Sequence, residues 1–179
     1  MKLNNLKYIF VIIIMFLMTG SALAQNVSKT GYKVRAKGRQ LVITYQGKAH
    51  LLNTAKEVDA EKVTGTNILF AARKNNFTYL VIDVIGQSRA KQNDRQCGAG
   101  EENDFLWIKL DANWKVTAIK SIRYESCWAS TSSENFKITG NLMSVEIANF
   151  RENTDSKVSY NAAEPEKGFK IETKAMDKN

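Results

Sequence analysis

Hydrophobic and polar residues alternate in short runs along most of this 179-residue chain, and turn-forming residues separate the runs. The clearest pair is formed by segments 67–73 and 77–85, which flank Lys74-Asn75-Asn76. Asparagine tolerates the positive φ that tight turns require, so the pattern predicts a β-hairpin. The second segment is apolar on both faces, which is typical of a central strand covered by two layers.

The same pattern predicts about nine short strands in all, most of them in hairpins. Further strands are expected at 39–45 with a return from residue 50, at 105–110 and 115–125, at 136–139 and 142–148, and at 158–162 and 168–173. No long segments with a 3.6-residue period separate them. This favours an all-β fold, an antiparallel β-sandwich or a barrel-like domain built from hairpins. One short helix over 55–63 is compatible with the sequence, because Thr54-Ala55-Lys56-Glu57 has the pattern of a capping box.

The first 24 residues have the features of a secretory signal peptide. Lys2 and Lys7 are followed by an apolar run over 8–18, and Ala22-Leu23-Ala24 supplies the small residues of a cleavage site before Gln25. The run is shorter than the roughly 20 apolar residues of a spanning helix. We therefore expect a periplasmic or secreted protein with a single β domain over 25–173 and a frayed tail over 174–179.

The chain contains two cysteines, Cys97 and Cys127, and both follow the expected cleavage site. An even number of cysteines in an oxidising compartment favours a disulfide over two free thiols. Neither a C-x-x-C redox motif nor a set of zinc ligands is present, so we expect the bond to be structural.

Basic residues are concentrated near the beginning of the expected domain, in a chain with a formal net charge of +8. Lys33, Arg35, Lys37 and Arg39 alternate with small or apolar residues. In a strand all four would lie on one face, roughly 6.5–7 Å apart, a spacing suited to an anionic envelope polymer or a membrane surface. The alternative is an edge strand that its charges protect from aggregation. No aromatic residues are interleaved with the basic ones, which argues against single-stranded nucleic acid as a partner.

Aromatic residues near the cysteines offer a second candidate surface. If the face that carries Trp107 were open, Trp107, Phe105 and Trp128 could bind a sugar or a peptide. The alternative is that these rings pack in the core beside the disulfide, as aromatic residues do in immunoglobulin-type sandwiches.

Few features of the sequence point to catalysis. His50 is the single histidine, and no nucleophile motif lies near it, which argues against a Ser-His or Cys-His mechanism. Carboxylates such as Asp83 and Glu125 could form a glycosidase pair, although Asp83 lies in an apolar strand, where we expect an arginine to pair with it. The acidic residues within 94–104 match no calcium-binding loop. Neither a metal nor another cofactor is therefore expected.

These observations favour an exported, non-enzymatic protein that binds an anionic component of the cell envelope or a protein partner. A carboxylate-dependent hydrolase acting on envelope polysaccharide is the main alternative. An inhibitor or immunity-type protein, and a structural envelope protein without a discrete ligand, also remain open. The position of the carboxylates separates the first two classes: a shared open cleft favours the hydrolase, whereas paired or separate positions favour binding.

Overall fold

A computed structural model describes residues 31–88, 97 and 100–176. The expected signal peptide lies outside the described residues. The elements within them are eleven strands and a short 3₁₀ turn at Pro165–Lys167. The strands are β1 Tyr32–Lys37, β2 Gln40–Tyr45, β3 Lys48–Leu52, β4 Lys62–Lys74, β5 Phe77–Gln87, β6 Glu102–Leu110, β7 Val116–Ser126, β8 Thr131–Thr139, β9 Leu142–Asn149, β10 Thr154–Asn161 and β11 Lys170–Ala175.

The strands form two antiparallel sheets, and within each sheet every strand pairs with its neighbours in sequence. β1, β2 and β3 form a small sheet, and β4 to β11 form a large one in unbroken sequential order. The prediction of an all-β fold made of antiparallel hairpins is confirmed. The turn between β4 and β5 is also the expected one, because Asn75 and Asn76 have φ of 51° and 63°.

The strands β5 and β6 lie at the centre of the molecule and are covered on both faces. Leu80, Ile82 and Val84 of β5 pack in a cluster with residues of the small sheet. Tyr79 and Val81, on the opposite face, pack in a second cluster with residues of β9 and β10. The doubly apolar sequence of β5 therefore corresponds to a strand between two layers, as predicted.

The large sheet folds back on itself at the junction of β7 and β8. Ser126 and Thr131 are the single residue pair that joins these two strands in the described structure. The Cys97–Cys127 disulfide lies at the same junction. This bend allows β9 and β10 to cover the central strands, because the two halves of one sheet then face each other.

Two details of the sequence prediction differ from the structure. The segment 55–63 forms a turn and an extended connection into β4, without a helix. The Thr54 hydroxyl donates to the Arg39 carbonyl, and Val58 and Ala60 are both fully buried, which an extended segment permits. The expected frayed tail is also too long, since β11 continues through Ala175 and pairs with β10. In the part of the chain that is described, no helix is long and apolar enough to span a membrane.

Candidate functional site

Three of the four predicted basic residues form a row on the outer side of the small sheet. Lys33, Arg35 and Lys37 are exposed, and they alternate with side chains that face the rest of the molecule. The strand that carries them, β1, lies at the edge of its sheet and is paired with β2 alone. We call the outer side of β1–β3 that carries this row the basic face.

The fourth residue does not belong to the row. Arg39 lies in the turn between β1 and β2, where the strand alternation ends. Its Nε donates to the Val58 carbonyl oxygen at 2.6 Å, and its Nη2 donates to the same oxygen. The prediction that Arg39 shares a face with the others is wrong, because its guanidinium satisfies a carbonyl of the buried 54–60 connection.

The basic face also carries an exposed apolar side chain that the sequence analysis did not identify. Arg35 pairs with Val42, and Val42 pairs in turn with Leu51. Leu51 is 52% exposed, whereas Val42 between them is buried. From strand spacing, Leu51 lies about 10 Å from the basic row on the same side of the sheet.

The charges of the basic face have no acidic partner among the described residues. Residues 31–56, which include the whole small sheet, contain six Lys or Arg and no Asp or Glu. Ion pairs elsewhere in the described chain involve Arg123 and four lysines of β4 and the C-terminal region, and none includes Lys33, Arg35 or Lys37. The row therefore presents uncompensated positive charge to solvent.

The predicted aromatic patch is not open. Phe105 and Trp107 are 2% and 4% exposed, because the β9–β10 layer covers their face of the central sheet. The indole N–H of Trp107 donates to the Pro165 carbonyl, which satisfies its polar atom inside the core. Trp128 is partly buried at the bend, where its backbone N–H donates to Glu102 Oε1 at 3.2 Å. Phe105 and Trp107 are core residues, so they cannot form a surface with Trp128.

The single histidine, His50, packs against an aromatic side chain. His50 stacks on Trp114, with ring centroids 4.0 Å apart and planes 6° from parallel. Trp114 also contacts Tyr32 and Tyr45 beneath the small sheet. These rings pack the β6–β7 turn against the small sheet, and we interpret His50 as a part of this packing.

The two carboxylates considered for hydrolysis are both engaged by protein groups. The Tyr124 hydroxyl donates to Asp83 at 2.7 Å, and the Ser133 hydroxyl donates to Glu125 at 3.3 Å. Burial raises the pKa of Asp83, and the hydrogen bond from Tyr124 partly opposes this shift. Burial raises the pKa of Tyr124 as well, and the hydrogen bond to Asp83 together with its charge raises this pKa further. The partner of Asp83 is thus a tyrosine, and the prediction of an arginine partner is wrong.

Arginine pairing occurs instead on the opposite face of β6. Arg123 Nε lies 3.3 Å from Asp104 Oδ1, and Arg123 Nη1 lies 3.2 Å from Asp59 Oδ2. Asp104 is 1% exposed, and its Oδ2 has no hydrogen-bond partner within the described structure. Burial raises the pKa of Asp104, and the charge of Arg123 opposes that shift.

A second buried carboxylate, that of Glu102, lies at the bend between β7 and β8. We call this region the disulfide corner, and it comprises the Cys97–Cys127 disulfide with Glu102, Ser88 and Ser126. Glu102 is 1% exposed and accepts hydrogen bonds from the hydroxyls of Ser88 at 2.9 Å and Ser126 at 2.5 Å. With the N–H of Trp128, three donors surround one carboxylate. Glu102 and Asp104 share one face of β6 with the core residues Leu106, Ile108 and Leu110, and this two-residue period was the sequence signal for the buried acids.

Acidic residues do not assemble into a metal site in the described residues. Groups of three or more His, Cys, Asp or Glu side chains that could hold an ion are absent from 31–88, 97 and 100–176. Asp94, which the sequence analysis considered with the acidic residues after Cys97, lies outside these ranges.

A cavity of about 880 Å³ on β8–β11 is lined by charged residues of both signs, including Glu146, Lys157 and Glu172.

Comparison with known proteins adds no functional information. No protein-family model matches this chain, and neither the search of curated proteins nor that of solved structures finds a similar protein. Any functional assignment therefore depends on the arrangement of the residues themselves.

Proposed function

We propose that this protein is an exported binding protein whose basic face contacts rows of phosphate groups on an anionic component of the cell envelope. The observation that carries the proposal is the uncompensated row of Lys33, Arg35 and Lys37. Buried or structural charges are normally paired, as Arg123 is in this molecule. Exposed charges without partners are available to a ligand.

The geometry of the row supports contact with a repeating anion. Successive residues on one side of a strand are roughly 6.5–7 Å apart, so three cations span about 13–14 Å along a fixed line. A rigid strand holds this spacing without an ordering cost for the backbone when a ligand binds. Phosphate groups of a lipid surface or of a soluble polymer both provide a matching series of negative charges.

The exposed Leu51 favours the lipid surface as the source of these phosphates. A leucine on the same face as the cations can enter the acyl boundary, whereas a soluble polymer offers it no apolar contact. The disulfide is compatible with an exported protein. Asp83 and Glu125 are each hydrogen-bonded to a different hydroxyl of the protein, of Tyr124 and of Ser133, which supports binding over the hydrolase alternative.

Vesicle binding tests the proposal. We expect the purified protein to bind phosphatidylglycerol vesicles, with little binding to phosphatidylcholine vesicles and with steep weakening as salt increases. A basic residue near an anionic membrane contributes about 1 kcal/mol, so the triple variant K33Q/R35Q/K37Q should bind about 100-fold more weakly. Long-chain polyphosphate, used as a soluble probe, distinguishes the polymer source from the lipid source.

The matched control removes the same charge from other surfaces. Lys62, Lys115 and Lys137 are exposed and lie on separate strands and turns, so K62Q/K115Q/K137Q changes the net charge equally. Vesicle binding of this control should fall only slightly. Equal losses in the two triple variants, or wild-type affinity in K33Q/R35Q/K37Q, would contradict the proposal.

A further inference from the structure

The edge strand β11 is unlike the other strands of the large sheet, because all six of its side chains are exposed. It pairs with β10 on one side, in an uninterrupted register from Lys170 to Ala175, and it ends the sheet on the other. An exposed, regular edge presents a row of unpaired backbone N–H and C=O groups, which is a template for another strand.

The sequence of β11 is charge-complementary to itself in one antiparallel arrangement. Lys170, Glu172 and Lys174 lie on one side, and Ile171, 54% exposed, lies on the other, because it pairs with buried Val158. A twofold axis at Thr173 would place Glu172 opposite Lys174 of the second copy, twice. It would also place Ile171 opposite Ala175, so apolar side chains meet on the remaining side.

Neighbouring registers are less favourable. An axis at Glu172 would place Glu172 opposite itself and Lys170 opposite Lys174, so every charged pair would be repulsive. An axis at Ile171 would also place Lys170 opposite Glu172, but it would extend the pairing into buried Phe169 and towards the turn Pro165–Lys167. Lysines on an edge normally prevent pairing, but here the charges disfavour only the Glu172 register, and the buried Phe169 disfavours the Ile171 register.

We infer that β11 pairs with β11 of a second copy of this chain, antiparallel and with the twofold axis at Thr173. The contact joins two eight-stranded sheets into one continuous sheet. A strand of this length is roughly 20 Å long, and the area that it buries is below the roughly 1,200 Å² of stable complexes, so the dimer is weak in dilute solution. This inference is independent of the proposed ligand of the basic face.

Cysteine crosslinking of the full protein, with its native disulfide intact, tests the register. A residue on a twofold axis faces its own copy, so T173C should form a disulfide-linked dimer on mild oxidation. I171C and E172C are the matched controls, because each would lie on the axis only in one of the rejected registers. Faster crosslinking of I171C or E172C than of T173C would overturn the inference.

Charge reversal tests the same arrangement without a new cysteine. In K174E, glutamate faces Glu172 of the second copy, so the dimer measured by analytical ultracentrifugation should weaken about tenfold. In K137E the altered residue is exposed on β8, away from the edge strand, so the dimer should change by less than about twofold. A wild-type protein that stays monomeric up to about 0.5 mM, or equal effects of the two reversals, would overturn the proposal.

Discussion

The basic face and the disulfide corner both concentrate ionisable side chains, but they differ in how these side chains are partnered. At the corner Glu102 is 1% exposed and is surrounded by three donors. On the basic face the side chains of Lys33, Arg35 and Lys37 are exposed, and none takes part in an ion pair of the described chain. The corner carboxylate is therefore part of the hydrogen-bonding network of the fold, whereas the charges of the basic face are exposed to solvent without a partner in the described chain.

Replacement of Glu102 should produce the largest effect on stability. In E102A the hydroxyls of Ser88 and Ser126 lose their acceptor, and Arg123 loses a carboxylate 3.8 Å from its Nε. Removing one member of such a buried set costs about 3–5 kcal/mol of unfolding free energy. Urea denaturation measures the loss, with E134A as the exposed control, which should change stability by less than about 0.5 kcal/mol. A similar cost in the two variants would remove the distinction between the corner and the surface.

Arg35 and Arg39, four residues apart in the chain, provide an intermediate and sharper test of the comparison. R39A leaves the carbonyl of fully buried Val58 without its donor, so it should cost about 1–3 kcal/mol of stability. R35A removes an exposed side chain and should cost less than about 0.5 kcal/mol. Vesicle binding should show the reverse order, with about a fivefold loss in R35A and little change in R39A. The same order in both measurements would mean that the two charges are not functionally separate.

The smallest expected effect concerns Asp83 and depends on pH. Burial raises the pKa of Asp83 in the folded protein, so its contribution to stability is fully present below the unfolded pKa, about 3.9, and is lost as pH rises through the folded value. D83N cannot ionise and should become more stable relative to wild type as pH increases from 4 to 7. Urea denaturation across this range measures the difference, and E152Q, at an exposed position, should show no such trend. A wild-type advantage that grows with pH would indicate that the ionised carboxylate is stabilised.

Much of the fold could be predicted because it depends on local patterns. Each strand of the large sheet pairs with its sequence neighbours, so hairpin signals such as Asn75-Asn76 also determine the sheet order. The apolar residues on both faces of segment 77–85 were sufficient to predict two covering layers. The bend of the large sheet at Ser126 and Thr131 could not be predicted, because a change in strand direction leaves no periodic signal in the sequence.

The candidate site was predicted in part for similar reasons. Strand alternation correctly gave the side of Lys33, Arg35 and Lys37, but it could not show that the strand ends before Arg39. The strand ends at the turn of Gly38, which has a φ of 62°, and the side chain of Arg39 then contacts Val58, nineteen residues away. The exposure of Leu51 depends likewise on pairing across three strands, which a local pattern does not contain.

The sequential order of the large sheet also has a consequence for how the chain folds. Each strand can add to the one formed just before it, so no pairing in this sheet joins strands that are distant in sequence. The β6–β7 hairpin brings Ser126 opposite Glu102 and thereby places Cys127 beside the segment that follows Cys97. Oxidation of the two thiols is therefore expected to follow hairpin formation, and to lock a bend that the growing sheet has already made.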